Sequence, residues 1–93
     1  MPKLLSDAEI QERAKQLEGW TVQGKELRLT RKFKGFVEAI AFVNQMVEPA
    51  EAAGHHPDLA ISYNQVDVTL TTHDAGGLTL KDFTLAQIIS KFN

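Results

Sequence analysis

The chain has 93 residues, with 10 Lys and Arg against 12 Asp and Glu, a formal net charge of −2, and a 43% apolar share. That is chain enough for one domain, residues 1–93, around one core, with the apolar and charged fractions of an ordinary globular protein. No sequence-wide basic footprint points to nucleic acid. The absence of cysteine excludes disulfides, thiolate metal sites and a cysteine nucleophile. No apolar run approaches the roughly 20 residues of a membrane span. Met1–Ala8 lacks the apolar core of a signal peptide, so a cytoplasmic location is the expectation.

Ser6-Asp7-Ala8-Glu9 has the spacing of a capping box, and Ile10, Ala14 and Leu17 follow at helical intervals until Gly19. This predicts a first helix over about Asp7–Glu18. Trp20-Thr21-Val22 opens a short strand, and Gly24 marks a turn. From Glu26 to Lys34 the pattern alternates, with Leu27, Leu29 and Phe33 on one side and Arg28, Thr30, Lys32 and Lys34 on the other. That is a half-buried antiparallel strand.

After Gly35 the period changes. Phe36, Ile40, Val43 and Val47 form an apolar stripe on a long second helix, flanked by Val37, Ala41, Phe42 and Met46. Pro49 lies inside this pattern and predicts a kink near Gln45–Pro49, or a break with a short continuation to Ala53. Gly54 ends the helix, and Pro57 pushes His56 into extended geometry. Leu59, Ile61 and Tyr63 alternate as a third strand, Asn64-Gln65 makes a tight turn, and Val66, Val68 and Leu70 mark the core face of a fourth. Asp67, Thr69, Thr71 and His73 lie opposite. A loop at Asp74–Gly77 leads to Thr79, the cap of a last helix that carries Leu80, Phe83, Ile88 and Ile89. The order α-β-β-α-β-β-α, with one apolar face per strand, predicts an α+β two-layer sandwich: a four-stranded antiparallel sheet with three helices on one face.

All three histidines fall in one third of the chain, as His55, His56 and His73. Taken singly, each reads as a surface or satisfied core residue. Together, at the end of a helix and the end of a strand that would pair nearby, they read as one cleft able to move protons near neutral pH. Three histidines can also bind zinc, but there is no His-x-His or His-x-x-x-His pair. No Gly-x-Ser-x-Gly elbow and no glycine-rich phosphate loop is present.

The run Glu51-x3-His55-His56-Pro57-x5-Tyr63-x9-His73-x8-Asp82 resembles the signature of the pterin-4a-carbinolamine dehydratases. The predicted order of elements is the family's, and Trp20 matches a tryptophan the family places beside its active site. Pro49 departs from the pattern. The resemblance implies dehydration of 4a-hydroxytetrahydropterin to quinonoid dihydropterin, recycling the cofactor of aromatic amino-acid hydroxylases, without metal or cofactor. It implies His73 as general base, with His55 and His56 as acids and pterin-holding groups. Glu51 would support His55, one helical turn on, and Asp82 would support His73. Trp20, Pro57, Thr72, Asp74 and Ala75 would contact the pterin, the 72–75 segment through its backbone. Tyr63 reads as core or rim.

The expected partners are the pterin substrate and further copies of the chain. The resemblance implies a homodimer through sheet edges and a homotetramer through helix packing, for which the surplus apolar residues around Gly35–Val47 are suited. A non-catalytic dimerisation or coactivator module is the alternative, since animal members also serve as cofactors of a homeodomain transcription factor. The basic residues Arg28, Arg31, Lys32 and Lys34 could meet an acidic partner, although a solvated strand face accounts for them.

Overall fold

The structure, a computed structural model, describes residues 3–92. Helix α1 spans Asp7–Ala14 and starts on the expected capping box: the Glu9 amide donates to Ser6 Oγ at 3.1 Å, and the Ser6 amide to Glu9 Oε1 at 2.9 Å. That bond from the Ser6 amide holds the Glu9 carboxyl below its ordinary pKa. The helix is shorter than its periodicity predicts. Gln16 and Leu17 donate to Arg13 and Ala14, three residues back, so the last turn tightens and leaves the α register while Leu17 still reaches the core.

Strands β1 (Trp20–Gln23), β2 (Glu26–Lys32), β3 (Asp58–Ser62) and β4 (Gln65–Leu70) form one antiparallel sheet in the order β1-β2-β4-β3. Helix α2 (Phe36–Gln45) breaks at Met46 and resumes as α3 (Val47–Ala53). Pro49 falls in the first turn of α3, where a missing N–H costs nothing, so the proline divides the helix rather than bending it. Helix α4 spans Leu80–Ser90. Among the described residues, no helix is long and apolar enough to cross a membrane.

The predicted two-layer sandwich is therefore what forms, with three differences of detail. The buried face of α2 is Ala39, Phe42 and Met46, whereas Phe36 and Val47 are more than half exposed and Ile40 and Val43 only partly covered. Both stripes have helical spacing, and burial falls on the one whose large ring, Phe42, fits against Phe33 at 5.0 Å between centroids. The β3–β4 turn is Tyr63-Asn64, one residue earlier than expected, because Gln65 pairs with both Ser62 and Lys32. Asn64 clasps Phe33 through its carbonyl at 2.7 Å and its amide at 3.0 Å, leaving Tyr63 at φ 51 and exposed. Leu59 and Ile61 alternate as predicted yet remain about two-fifths exposed, at 39% and 41%, because β3 is an edge strand that the helices do not cover.

The basic strand face does not form as a unit. Arg31 turns to the helix side, where its guanidinium lies 4.8 Å over the Phe42 ring and donates to the Phe92 carbonyl at 2.7 Å. Arg28 is held by Glu26.

Candidate active site

The register of β3 with β4 brings the histidine segment together. Asp58 pairs with Thr69, so the chain before Asp58 runs alongside the chain after Leu70. Helix α3 ends on Gly54, whose φ of 61 reverses the chain and admits the glycine-type left-handed cap. His55 then drops inward and is 9% exposed, while His56 stays outside. Inward and outward alternation continues past the end of β4, so Thr72 is buried and His73 is exposed. His73 opens a single turn of 3-10 helix, His73–Ala75, rather than closing a strand.

Two histidines have carboxylate partners, and the pairing differs from the one expected. His55 Nε2 lies 2.6 Å from Asp82 Oδ1. His56 Nε2 lies 2.5 Å from Glu51 Oε2. A continuous helix would have set Glu51 over His55, but the reversal at Gly54 swings His55 off that face and brings His56 to it. Asp82 does not serve His73: it faces inward at 0% exposure and bonds to His55, whereas His73 faces solvent. Its position follows from the start of α4: Asp82 is the third residue of the helix and closes the capping box begun by Thr79, its Oδ2 accepting from the Thr79 amide at 2.9 Å. The spacing Thr79-x-x-Asp82 carries that signal in the sequence.

Asp82 is the hub of a wider network. Its Oδ2 also accepts from Thr72 Oγ1 at 2.7 Å, and Thr72 Oγ1 lies 2.8 Å from Thr79 Oγ1. A carboxylate only accepts, so His55 presents Nε2–H to it and keeps Nδ1 for other partners. The same argument leaves Nδ1 of His56 free. Both rings are thus fixed in tautomer and direction by one nitrogen, with the other available for proton transfer.

The residues expected to hold a pterin divide. Pro57 and His56 line one end of an apolar groove of about 300 Å³, with Val43, Met46, Val47 and Leu59. Asp74 and Ala75 lie in the turn with His73. The Thr72 hydroxyl is spent on Asp82, its carbonyl accepts from the Ala75 and Gly76 amides, and its amide donates to the Gly77 carbonyl. Thr72 is thus tied both to the Asp82 network and to the turn that begins at His73. Trp20 is not brought to the histidines of its own chain. It sits on β1, at the opposite edge of the sheet from β3, is 6% exposed, and donates from Nε1 to Ser90 Oγ at 2.8 Å. Among the described residues, no three His, Cys, Asp or Glu side chains converge as a metal would require.

Residues 3–92 match the family model described as pterin 4 alpha carbinolamine dehydratase. Proteins of Trichormus variabilis and Nostoc sp. that carry the pterin-4-alpha-carbinolamine dehydratase name are each 68% identical over 93 residues, covering the whole of both chains. The crystal structure of a transcriptional coactivator/pterin dehydratase from Brucella melitensis matches with a TM-score of 0.87 and 38% identity, covering 91% of this chain and 93% of that one. The fold is also that of a pterin dehydratase-like protein identified as a RuBisCO assembly factor in the alpha-carboxysome, at a TM-score of 0.65 and 22% identity over 78% of this chain and 87% of the other. The chain belongs to the pterin-4-alpha-carbinolamine dehydratase family, a family of hydro-lyases.

Proposed function

We propose that this chain dehydrates 4a-hydroxytetrahydropterin to quinonoid dihydropterin by moving protons between its three histidines and the substrate, and so serves to recycle the cofactor of aromatic amino-acid hydroxylases. The observation that carries the reading is the pair of carboxylate-held rings, His55 on Asp82 and His56 on Glu51, at the end of the sheet where His73 is exposed.

A hydroxyl on saturated carbon leaves poorly until it is protonated, and the adjacent ring nitrogen must lose its proton for the C=N bond to form. His73 takes the N–H proton. The N–H electron pair forms the C=N bond, the C–O bond breaks, and the oxygen leaves as water with the Nδ1 proton of His55 or His56 in its imidazolium form, which returns to the neutral ring with Nε2–H still on the carboxylate. Acid and base held in place on a common site are worth about 10²–10⁴ in rate. The Asp82 and Glu51 contacts hold the rings to one tautomer, which removes a rotational search from each turnover. Pro57, Asp74 and Ala75, which adjoin the histidines along the chain, would contact the pterin ring; Trp20 would reach a pterin only from a neighbouring chain.

The chemistry assigned to these residues needs no metal. Protein treated with a strong chelator and dialysed is expected to accelerate the loss of 4a-hydroxytetrahydropterin absorbance as fast as untreated protein. Stoichiometric zinc, with activity lost on its removal, would instead support a metal site.

The chain is further proposed to work as a homodimer or homotetramer. The β3 edge is uncovered along its length, and Phe36, Val37 and Val47 expose apolar surface on α2 and α3 at 54%, 76% and 58%. Exposed edges and apolar faces of this kind are used for pairing between chains. Val37→Glu leaves the core untouched and is expected to reduce the assembly by one step in light scattering while the unfolding temperature of the subunit is retained. An assembly unchanged by Val37→Glu would remove α2 from the interface. The same face is what an interaction module without catalysis would use, and the coactivator name of the Brucella melitensis protein favours that second reading. Activity of the purified protein separates the two.

A further inference from the structure

We propose that Thr72 is a positioning residue that fixes the imidazole of His55, through Asp82, against the turn that carries His73. The proposal deepens the dehydratase reading and rests on it for its kinetic consequence.

Asp82 Oδ1 faces His55 Nε2 at 2.6 Å, while Oδ2 has two donors, the Thr79 amide at 2.9 Å and the Thr72 hydroxyl at 2.7 Å. The direction of each hydroxyl follows from the donors present. Asp82, as a carboxylate, can only accept. Thr72 Oγ1 has a single proton and gives it to Asp82 Oδ2, so across the 2.8 Å contact Thr79 Oγ1, which accepts from the Lys81 amide at 3.2 Å, is the donor to Thr72 Oγ1. Among the described residues, no fully buried side-chain nitrogen or oxygen lacks a hydrogen-bond partner.

An aspartate carboxylate turns easily about its last torsion, so a single donor on Oδ2 does not hold its plane. Two donors on Oδ2, set apart by the backbone of α4 and the chain leaving β4, do. With the carboxylate fixed, the His55 ring is fixed. The backbone of Thr72 meanwhile anchors the other half of the site. Its carbonyl accepts from the Ala75 and Gly76 amides at 3.1 and 3.0 Å, and its amide donates to the Gly77 carbonyl at 3.1 Å, which closes the turn that begins at His73. One residue therefore ties a buried histidine and an exposed one to a common reference. Neither sequence spacing nor family membership assigns Thr72 this part.

The test compares Thr72→Val, which keeps the shape and loses the hydroxyl, with Thr72→Ser, which keeps the hydroxyl. Outer residues that orient a functional side chain typically carry about 10–100-fold in activity. Thr72→Val is expected to lower kcat by about tenfold or more with KM changed by less than about twofold, and Thr72→Ser to stay within about threefold of the parent. In proton NMR of the resting protein, the hydrogen-bonded Nε2 proton of His55 is expected downfield in the parent and in Thr72→Ser, and shifted or lost to exchange in Thr72→Val. An unaltered His55 signal in folded Thr72→Val, an unchanged kcat, or a loss that serine fails to restore would each overturn the proposal. Should Thr72→Val not fold, Thr72→Cys, whose thiol is a weak donor, takes its place with the same expectations. The NMR arm uses no substrate, so positioning can fail while dehydration stands, and an inactive parent protein with the signal pattern intact would fail the dehydratase reading alone.

Discussion

His73→Ala is expected to lower kcat by about 10²–10⁴ with little change in stability, and His55→Ala to lower both. The two differ because the side chains are held differently. His73 is exposed and its ring makes no hydrogen bond among the described residues, so its removal falls among surface changes of about 0.5 kcal/mol or less. His55 is 9% exposed and bonded to a fully buried carboxylate. Removing it leaves Asp82 Oδ1 without its donor, a cost of about 1–3 kcal/mol in addition to the lost catalysis. His56 lies between these cases, since its Glu51 partner is a surface carboxylate and contributes little to stability. Steady-state kinetics alongside denaturant unfolding checks all three. Wild-type kcat/KM in His73→Ala would remove it as the base.

The second large effect concerns Phe42. Its side chain is 0% exposed, packs 5.0 Å from the Phe33 ring and lies under the Arg31 guanidinium. Phe42→Ala is expected to lose about 3–5 kcal/mol in urea unfolding, a large share of the roughly 5–15 kcal/mol that a domain possesses. Phe42→Glu places an unpaired charge in the same space and is expected not to fold. An unchanged unfolding midpoint for Phe42→Ala would contradict the packing of α2 described above. The contrast with Val37→Glu is useful: five positions apart on one helix, one substitution acts on the subunit and the other only on its assembly.

Parts of this structure were legible in the sequence. The strands were, because alternation such as Leu27-x-Leu29 or Val66-x-Val68-x-Leu70 has one reading once a face is buried. The break at Pro49 and the caps at Ser6 and Thr79 were also legible, being local chemistry. The phase of α2 was not. Phe36-Ile40-Val43-Val47 and Ala39-Phe42-Met46 both satisfy helical spacing, and only packing chooses between them. The exposure of Leu59 and Ile61 depends on strand order, which periodicity does not carry.

The site divides in the same way. The clustering of its histidines could be read from residue type and position, whereas Glu51 and Asp82 came from the family resemblance. Which carboxylate serves which histidine could not, because it turns on the left-handed residue Gly54 and on the inward face of the α4 cap. Nothing local marks Thr72 as a buttress, since its partners lie ten and seven residues on and meet it only through the turn at His73–Ala75.

The most direct measurement follows formation of quinonoid dihydropterin from freshly generated 4a-hydroxytetrahydropterin, with metal-free protein and with a His55→Ala, His73→Ala double variant shown to be folded. The account predicts that the parent protein speeds the dehydration well above its spontaneous rate and that the double variant leaves it at that rate. A parent protein that leaves the spontaneous rate unchanged, or a double variant as fast as the parent, would contradict it.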